Sequence, residues 1–351
     1  MTERTVAVKR PTINAIAKEA GVSKAAVSYA LNGMAGVSPE TRDRILLVAE
    51  RLGWRPNIAA RSLSVARAHA VGLVLARPAQ TLGVEPFYMR FISGLERQLA
   101  KVNTALLLQL VEDHDHWNQT VAGWWAERRI DGVIVTDVRI RDSRFATLQS
   151  LGVPAVIAGR PTSRLSAPAV WSDDAQAVTS VLDHLFDLGH MRIARVAGLN
   201  TLDHTRVRNA AFTRVMRSKL LEGDDILATD YSFEAGAEAT RALLSRGHPP
   251  TAILYDNDLM AVAALGTARE MGVDVPGQLS IVAGDDSPLC LIGTPTVTAL
   301  ARDVFAYGAQ TGLALLEAID GTGTESVEVD PPVLQVRGST GPAPKDPVNR
   351  R

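Results

Sequence analysis

TINAIAKEAGVSKAAVSYALNG, residues 12–33, followed by VSPETRDRILLVAERLG, residues 37–53, decides how this chain is organised. Thr12 can N-cap a helix whose apolar residues Ile13, Ile16, Ala17 and Ala20 recur at i, i+3, i+4 and i+7, one buried stripe. Gly21 permits a tight turn. Ser23 can cap a second helix that turns Val27, Ala30 and Leu31 inward. Ser38-Pro39 starts a third: a capping hydroxyl, then proline at the first helical position. Ile45, Val48, Ala49 and Leu52 form its stripe, and Gly53 ends it. Two short helices joined by a glycine turn and braced by a third make a helix-turn-helix, whose second helix enters the DNA major groove.

The outward residues of that second helix are therefore candidate DNA contacts. Lys24 can donate to guanine O6/N7, and Ala25 offers a thymine methyl an apolar surface. Tyr29 can reach a base edge or a phosphate, and Ser23 and Ser28 can donate to phosphates. Thr12 joins this set. Charge points the same way. Residues 1–67 hold eleven Lys/Arg against five Asp/Glu, net +6, while the remainder holds 26 against 33, net −7. A basic head on an acidic body suits a nucleic-acid-binding segment fused to a soluble partner domain. RPNIAARSLS, residues 55–64, can form a short helix capped by Asn57. It is too short to stand alone and suits folding on DNA. Leu63 can wedge into the minor groove. A plain linker is the alternative.

Beyond residue 68, short apolar runs alternate with helical stretches. Strands are expected at 71–75, 105–109, 132–135, 155–157, 193–197, 252–254, 279–283 and 333–336. Helices are expected at 89–102, 175–188, 208–219, 234–245, 259–271 and 306–319. The nearly continuous apolar character of the strands suits parallel sheets buried on both faces, hence α/β architecture. Ligands of such sheets bind beyond the carboxyl ends of the strands.

Other classes are disfavoured. No apolar run approaches the roughly 20 residues of a membrane span. The polar N-terminus does not read as a signal peptide. Cys290 is the only cysteine, so no internal disulfide can form and a cytoplasmic setting fits. Phosphate-loop, zinc-protease and nucleophile-elbow motifs are missing, so neither an enzyme nor a cofactor is expected. His114-Asp115-His116 is assigned to a polar loop before Trp117 instead of a metal site. Packing is the expected role for at least one of Trp124 and Trp125.

The head segments quoted above, continued by AVGLVL, PFYMRFISGLE, LGHMRIARVAG, PTAILYDNDLMA, LSIVAGDD and VRGST in the same order, resemble the lac/gal repressor family across nearly the whole chain. The resemblance implies a homodimer or a dimer of dimers on a near-palindromic double-stranded operator. It also implies a hinge helix at 57–64, with Leu63 as the intercalating leucine and Ala60 beside it in the groove. It implies a body like a periplasmic sugar-binding protein. Lobe one is then about 70–170 with 300–327, lobe two about 171–299 with 328–341, and a disordered tail follows from 342. The small-molecule effector, a sugar or sugar derivative, would lie between the lobes.

Carried over residue by residue, the ligand contacts are Arg208, Asp285, Asn257, an aromatic at Tyr231, and Phe87 and Tyr88 on the opposite wall, with His204 beside them. Each has a plainer alternative: an ion pair for Arg208, a turn for Asp285 and Asn257, the core for Tyr231. Departures from the family pattern are Ala15, Ala26 and Tyr29 in the head, and Gly159-Arg160 where an acidic or polar contact is common. Arg160 admits an anionic ligand, and a corepressor-dependent regulator sensing a purine or phosphorylated sugar is the alternative. A solute-binding protein that does not bind DNA is the alternative function. No C-terminal heptad is evident, which favours the dimer.

Overall fold

The computed structural model describes residues 11–31, 33–54, 67–77, 86–221, 225–323 and 325–345. It divides into two compact units, residues 1–68 and 69–351. The expected hinge helix, with Asn57, Ala60 and Leu63, lies outside the described residues.

In the first unit, α1 (Ile13–Ala20), α2 (Lys24–Leu31) and α3 (Pro39–Arg51) form where the caps dictate. Thr12 Oγ1 accepts from Ala15 N at 3.4 Å, Ser23 Oγ from Ala26 N at 3.2 Å and Ser38 Oγ from Thr41 N at 3.3 Å. Gly21, at φ 67°, makes the left-handed turn out of α1. Ile16, Ala17, Ala20, Val27, Ala30, Ile45, Val48 and Ala49 form the core. Ile13 does not join it. At 37% exposed it stands outside the stripe, which begins one turn later. Arg42 fastens α3 to the end of α2 by donating to Met34 O at 2.6 Å and Ala30 O at 3.4 Å, and Arg51 pairs with Glu19 across α3 and α1.

The second unit carries two six-stranded sheets. The first comprises β1 (Ala70–Leu75), β2 (Ala105–Leu110), β3 (Gly132–Val135), β4 (Ala155–Ala158), β5 (Ala169–Trp171) and β11 (Val327–Glu328), in the order β11-β5-β4-β3-β1-β2. The second comprises β6 (Ile193–Ala197), β7 (Ile226–Ala228), β8 (Ala252–Tyr255), β9 (Ser280–Ala283), β10 (Thr298–Ala301) and β12 (Val333–Gln335), in the order β12-β10-β9-β8-β6-β7. All pairings are parallel except β10 with β12. Every residue of β1, β3, β6, β8 and β9 is buried, as expected of strands covered by helices on both faces.

Helices α4 (Pro86–Leu99), α5 (His114–Ala126), α6 (Arg144–Leu151) and α12 (Val304–Asp320) cover the first sheet. Helices α7 (Asp174–Asp187), α8 (Asp203–Ser218), α9 (Phe233–Leu244), α10 (Asp258–Glu270) and α11 (Leu289–Ile292) belong to the second. The chain passes between the lobes three times, at 172–173, 302–303 and 329–332. The first two passages share one geometry. Asp173 (φ −77°, ψ 87°) and Asp303 (φ −80°, ψ 83°) each cap the helix that follows with a side-chain oxygen. Gly94 and Gly308 let α4 and α12 touch along their backbones: a Cβ at either would overlap the carbonyl oxygen of Phe305 or Phe91.

Several expectations are corrected. His114–His116 is not in a loop but in the first turn of α5, capped by Asp113, which accepts from His116 N at 2.9 Å. Trp117 in the next turn is fully buried and donates to Val74 O at 3.0 Å. The two histidines diverge, His114 toward Asp142 and His116 toward Asp113. Helix α8 starts at Asp203, five residues before the expected start. Helix α6 and strands β5, β7, β10 and β11 were not foreseen, because the strands are only two to four residues long and lack a run to read. The tail does not loosen at 342: Ala343 N donates to Leu188 O at 2.8 Å. Of the tryptophan pair, Trp124 is buried and Trp125 is half-buried against the same core.

Candidate functional site

A cleft of about 910 Å³, partly open to solvent, lies between the lobes. It sits beyond the carboxyl ends of β1, β3, β4, β6, β8 and β9, where open parallel sheets present their loops. Five of the six residues assigned to the ligand line it: Phe87, Tyr88, Arg208, Tyr231 and Asp285. His204 does so too.

Asn257 does not. It is 2% exposed, its Oδ1 accepts from Met260 N at 2.9 Å as the N-cap of α10, and its Nδ2 donates to Tyr231 O at 3.1 Å. Both ends of the amide are engaged, so Asn257 is a helix cap and neither a cleft residue nor the turn residue of the plainer alternative. Its neighbour Asp256 is the residue that lines the cleft.

The cleft is a lattice of opposed charges. Arg208 donates to Asp174 Oδ1 at 3.0 Å and Asp256 Oδ1 at 3.3 Å. Asp256 also pairs with the buried Arg195 and accepts from Gly198 N at 2.6 Å. Asp174 accepts from Arg302 at 3.3 Å as well. On the other wall Arg77 holds Asp137 through two bonds, of 2.7 and 2.9 Å, and the Tyr88 hydroxyl donates to the same carboxylate at 2.6 Å. The Arg77 guanidinium lies 5.5 Å from the Tyr88 ring centre and 5.0 Å from that of Tyr231, so rings from both lobes flank it. Arg160 stacks on Trp171 at 5.4 Å.

Protonation follows from these neighbours. Burial pushes the carboxyls of Asp137, Asp174 and Asp256 up, but their arginines outweigh it and hold all three well below the usual range. Asp285 is the exception. Burial pushes it up to about 6, only partly opposed by Arg302 at 3.4 Å and by Arg208. His204 is pushed down to about 4 by burial and by Arg208, and is therefore neutral near pH 7. Its Nε2 lies 2.9 Å from the Tyr231 hydroxyl, which also meets Thr205 Oγ1 at 3.1 Å. Tyr231 holds φ 71°, an unusual backbone for an aromatic residue, fastened by Asn257 from behind and these two groups in front.

The site contains residues that the sequence reading missed: Arg77, Asp137, Asp174, Asp256 and Arg302. Arg77, Asp137 and Asp256 each follow a strand by one or two residues. Asking which charged residues succeed every predicted strand would have found them. Asp174 and Arg302 sit at the interlobe passages, which no local pattern marks.

In the first unit, Ser23, Lys24, Ala25 and Tyr29 are exposed along the start and outer face of α2, Ser28 is half-buried, and Thr12 is exposed ahead of α1. Ser23 and Thr12 already accept helix N–H groups, which leaves each hydroxyl proton to donate outward. The Tyr29 ring packs beside Gly36.

A basic three-helix head joined to a two-lobed body with a polar interlobe cleft defines a DNA-binding regulator with a ligand-sensing domain. Comparison with known proteins agrees. Residues 12–57 match the bacterial regulatory proteins of the lacI family, and residues 182–340 match the periplasmic binding protein-like domain. The transcriptional regulator CelR of Thermobifida fusca is 30% identical over 92% of this chain and 95% of its own length. The structure of a CelR–cellobiose complex aligns with a TM-score of 0.71 at 28% identity, over 94% of this chain and all of that one. The lac repressor dimer bound to operator and an anti-inducer shares the fold, with a TM-score of 0.84 at 22% identity over 95% of this chain and all of that one. The chain belongs to the lacI family of helix-turn-helix transcriptional regulators. Among the described residues no helix is long and apolar enough to cross a membrane.

Proposed function

We propose that this protein is a cytoplasmic repressor whose operator affinity is set by a neutral sugar bound, without chemical conversion, between the two lobes. The observation that carries the effector class is the charge balance of the cleft. Four guanidiniums, Arg77, Arg160, Arg208 and Arg302, face five carboxylates, Asp137, Asp174, Asp203, Asp256 and Asp285. Three of the four arginines are already opposed by aspartates. A phosphorylated ligand would have to displace them. A polyol instead exchanges its hydroxyls into a field of fixed donors and acceptors, and Phe87, Trp171 and Tyr307 offer ring faces. In the complex of the relative CelR, the bound sugar is cellobiose.

Arg208, Tyr231 and Asp285 stand on one lobe, Phe87, Tyr88 and Asp137 on the other. A ligand touching both walls binds best at one interlobe angle and so biases that angle. Lys24, Ala25, Ser23, Ser28, Tyr29 and Thr12 read and grip a near-palindromic operator as a homodimer, with Asn57, Ala60 and Leu63 assigned to the hinge. The coupling is reciprocal: an effector that weakens operator binding itself binds less tightly when operator is present.

Calorimetric titration of the full-length protein with neutral disaccharides, beginning with cellobiose, tests this reading. Saturable binding at one site per chain is expected. Arg208→Ala should weaken it by about a hundredfold, two charge-assisted hydrogen-bond equivalents. Unchanged affinity in that variant would remove the cleft assignment.

A further inference from the structure

The geometry points to a second ligand site beside the cleft, an arginine-lined groove for a small polyanion carrying two phosphate groups. The groove, open to solvent, is lined by residues of both lobes. Arg139, Arg160 and Arg164 reach it from the loops after β3 and β4, and Arg206 and Arg214 from α8. Among the described lining residues its one acid is Asp203, which accepts from Arg206 at 2.9 Å. Five guanidiniums against one carboxylate give this lining a net charge of +4, with Arg160 and Asp203 shared with the cleft.

Three details mark a built site and not a solvated basic surface. The Arg139 Nε, on a residue that also lines the adjoining pocket with Arg77, His114 and Arg144, is shielded from solvent and has no hydrogen-bond acceptor among the described residues. Arg164 donates to Ile140 O at 2.8 Å, which anchors its side chain to the groove wall. On α8, Arg206, Ala210 and Arg214 recur at i, i+4 and i+8. The two guanidiniums therefore share one face with only a methyl group between them. Phe145 and Val207 add an apolar floor.

The charge count sets the ligand class. One phosphate monoester carries about −1.5 to −2 at pH 7, so two are needed to answer a charge of +4. The concave, two-lobed lining favours a compact molecule over a duplex backbone. Because both lobes contribute, an occupant pins the same interlobe angle that the cleft ligand biases, which makes it a second regulatory input.

Inorganic pyrophosphate, titrated calorimetrically into the full-length protein at constant ionic strength without divalent cations, is the probe. One saturable site per chain is expected. The double variant Arg206→Ala/Arg214→Ala should weaken it about tenfold or more. The charge-matched control Arg241→Ala/Arg269→Ala, on α9 and α10, should leave it unchanged. All four side chains are exposed, and matched melting temperatures establish that the variants are folded. No saturable binding, or equal weakening in both double variants, overturns the proposal. So does loss of duplex binding in the groove variant with pyrophosphate affinity intact, which would make the groove a nucleic-acid surface.

Discussion

Asp285→Asn should make the ligand-free protein more stable at pH 8 and leave it unchanged near pH 4. The Asp285 carboxyl is pushed up to about 6 from 3.8, because burial outweighs the attraction of Arg302 and Arg208. Between those values the folded protein keeps a proton that the unfolded chain releases. Stability therefore falls as pH rises through this window, and the deficit is complete above pH 6. A shift of about two units corresponds to roughly 3 kcal/mol, and the side chain's remaining 24% exposure reduces this to about 2 kcal/mol. Asparagine keeps the shape and removes the charge. With about 2–4 °C per kcal/mol for a domain of this size, the melting transition of the body should rise by about 5 °C at pH 8. Melting of wild type and variant from pH 4 to 8, without ligand, reads this directly. A uniform shift at all pH values, or a variant less stable at pH 8, would refute the reasoning. The second result would mean that the Arg302 ion pair is worth more than the burial it requires. The same variant should bind the effector more weakly, so the charge is retained at a cost in stability.

Asn257→Ala removes the cap of α10 and the restraint on the Tyr231 carbonyl; a loss of about 1–2 kcal/mol in urea denaturation is expected. Effector affinity should fall only modestly in it, since Asn257 acts through Tyr231. Gly308→Ala drives a Cβ into the Phe91 carbonyl where α4 meets α12. It should destabilise the body by about 2 kcal/mol or more, read as a lower melting temperature with the head's DNA affinity unaffected at low temperature. Lys24→Ala should cost about 1–3 kcal/mol of specific operator affinity and relax the preference at one base pair, measured by duplex competition.

The central strands were legible because parallel strands covered on both faces must be apolar throughout, and the runs at 132–135 and 193–197 end where the strands do. The start of helix α5 was not, although Trp124 and Trp125 read as helical, because HDHWNQ opens it with polar residues. Only Asp113 as a cap, three residues before His116, distinguishes that from a loop. The head was legible through its caps, yet Ile13 shows that periodicity finds a stripe more reliably than its first member. In the cleft, YDND illustrates the limit. A strand that turns directly into a helix places adjacent residues in different roles, one facing the cleft and the next capping the helix. Sequence position alone did not say which of Asp256 and Asn257 took each.

The charge lattice is what sequence could least reveal, and it carries most of the proposed mechanism. Buried ion pairs add little net stability, since desolvation offsets most of their attraction. A chain that places Arg195, Asp256, Arg208, Asp174 and Arg302 in continuous contact is therefore organised for something besides folding. Asp174 stands just after the first interlobe passage and Arg302 on the second, while Arg208 faces the cleft. A ligand that recruits the Arg208 donors draws on the same carboxylate that ties the two passages together. In the proposed mechanism recognition and the hinge would therefore share one residue, Asp174, and a change at the ligand would reach the interlobe angle through a single hydrogen-bonded step, with no long path of packed side chains required.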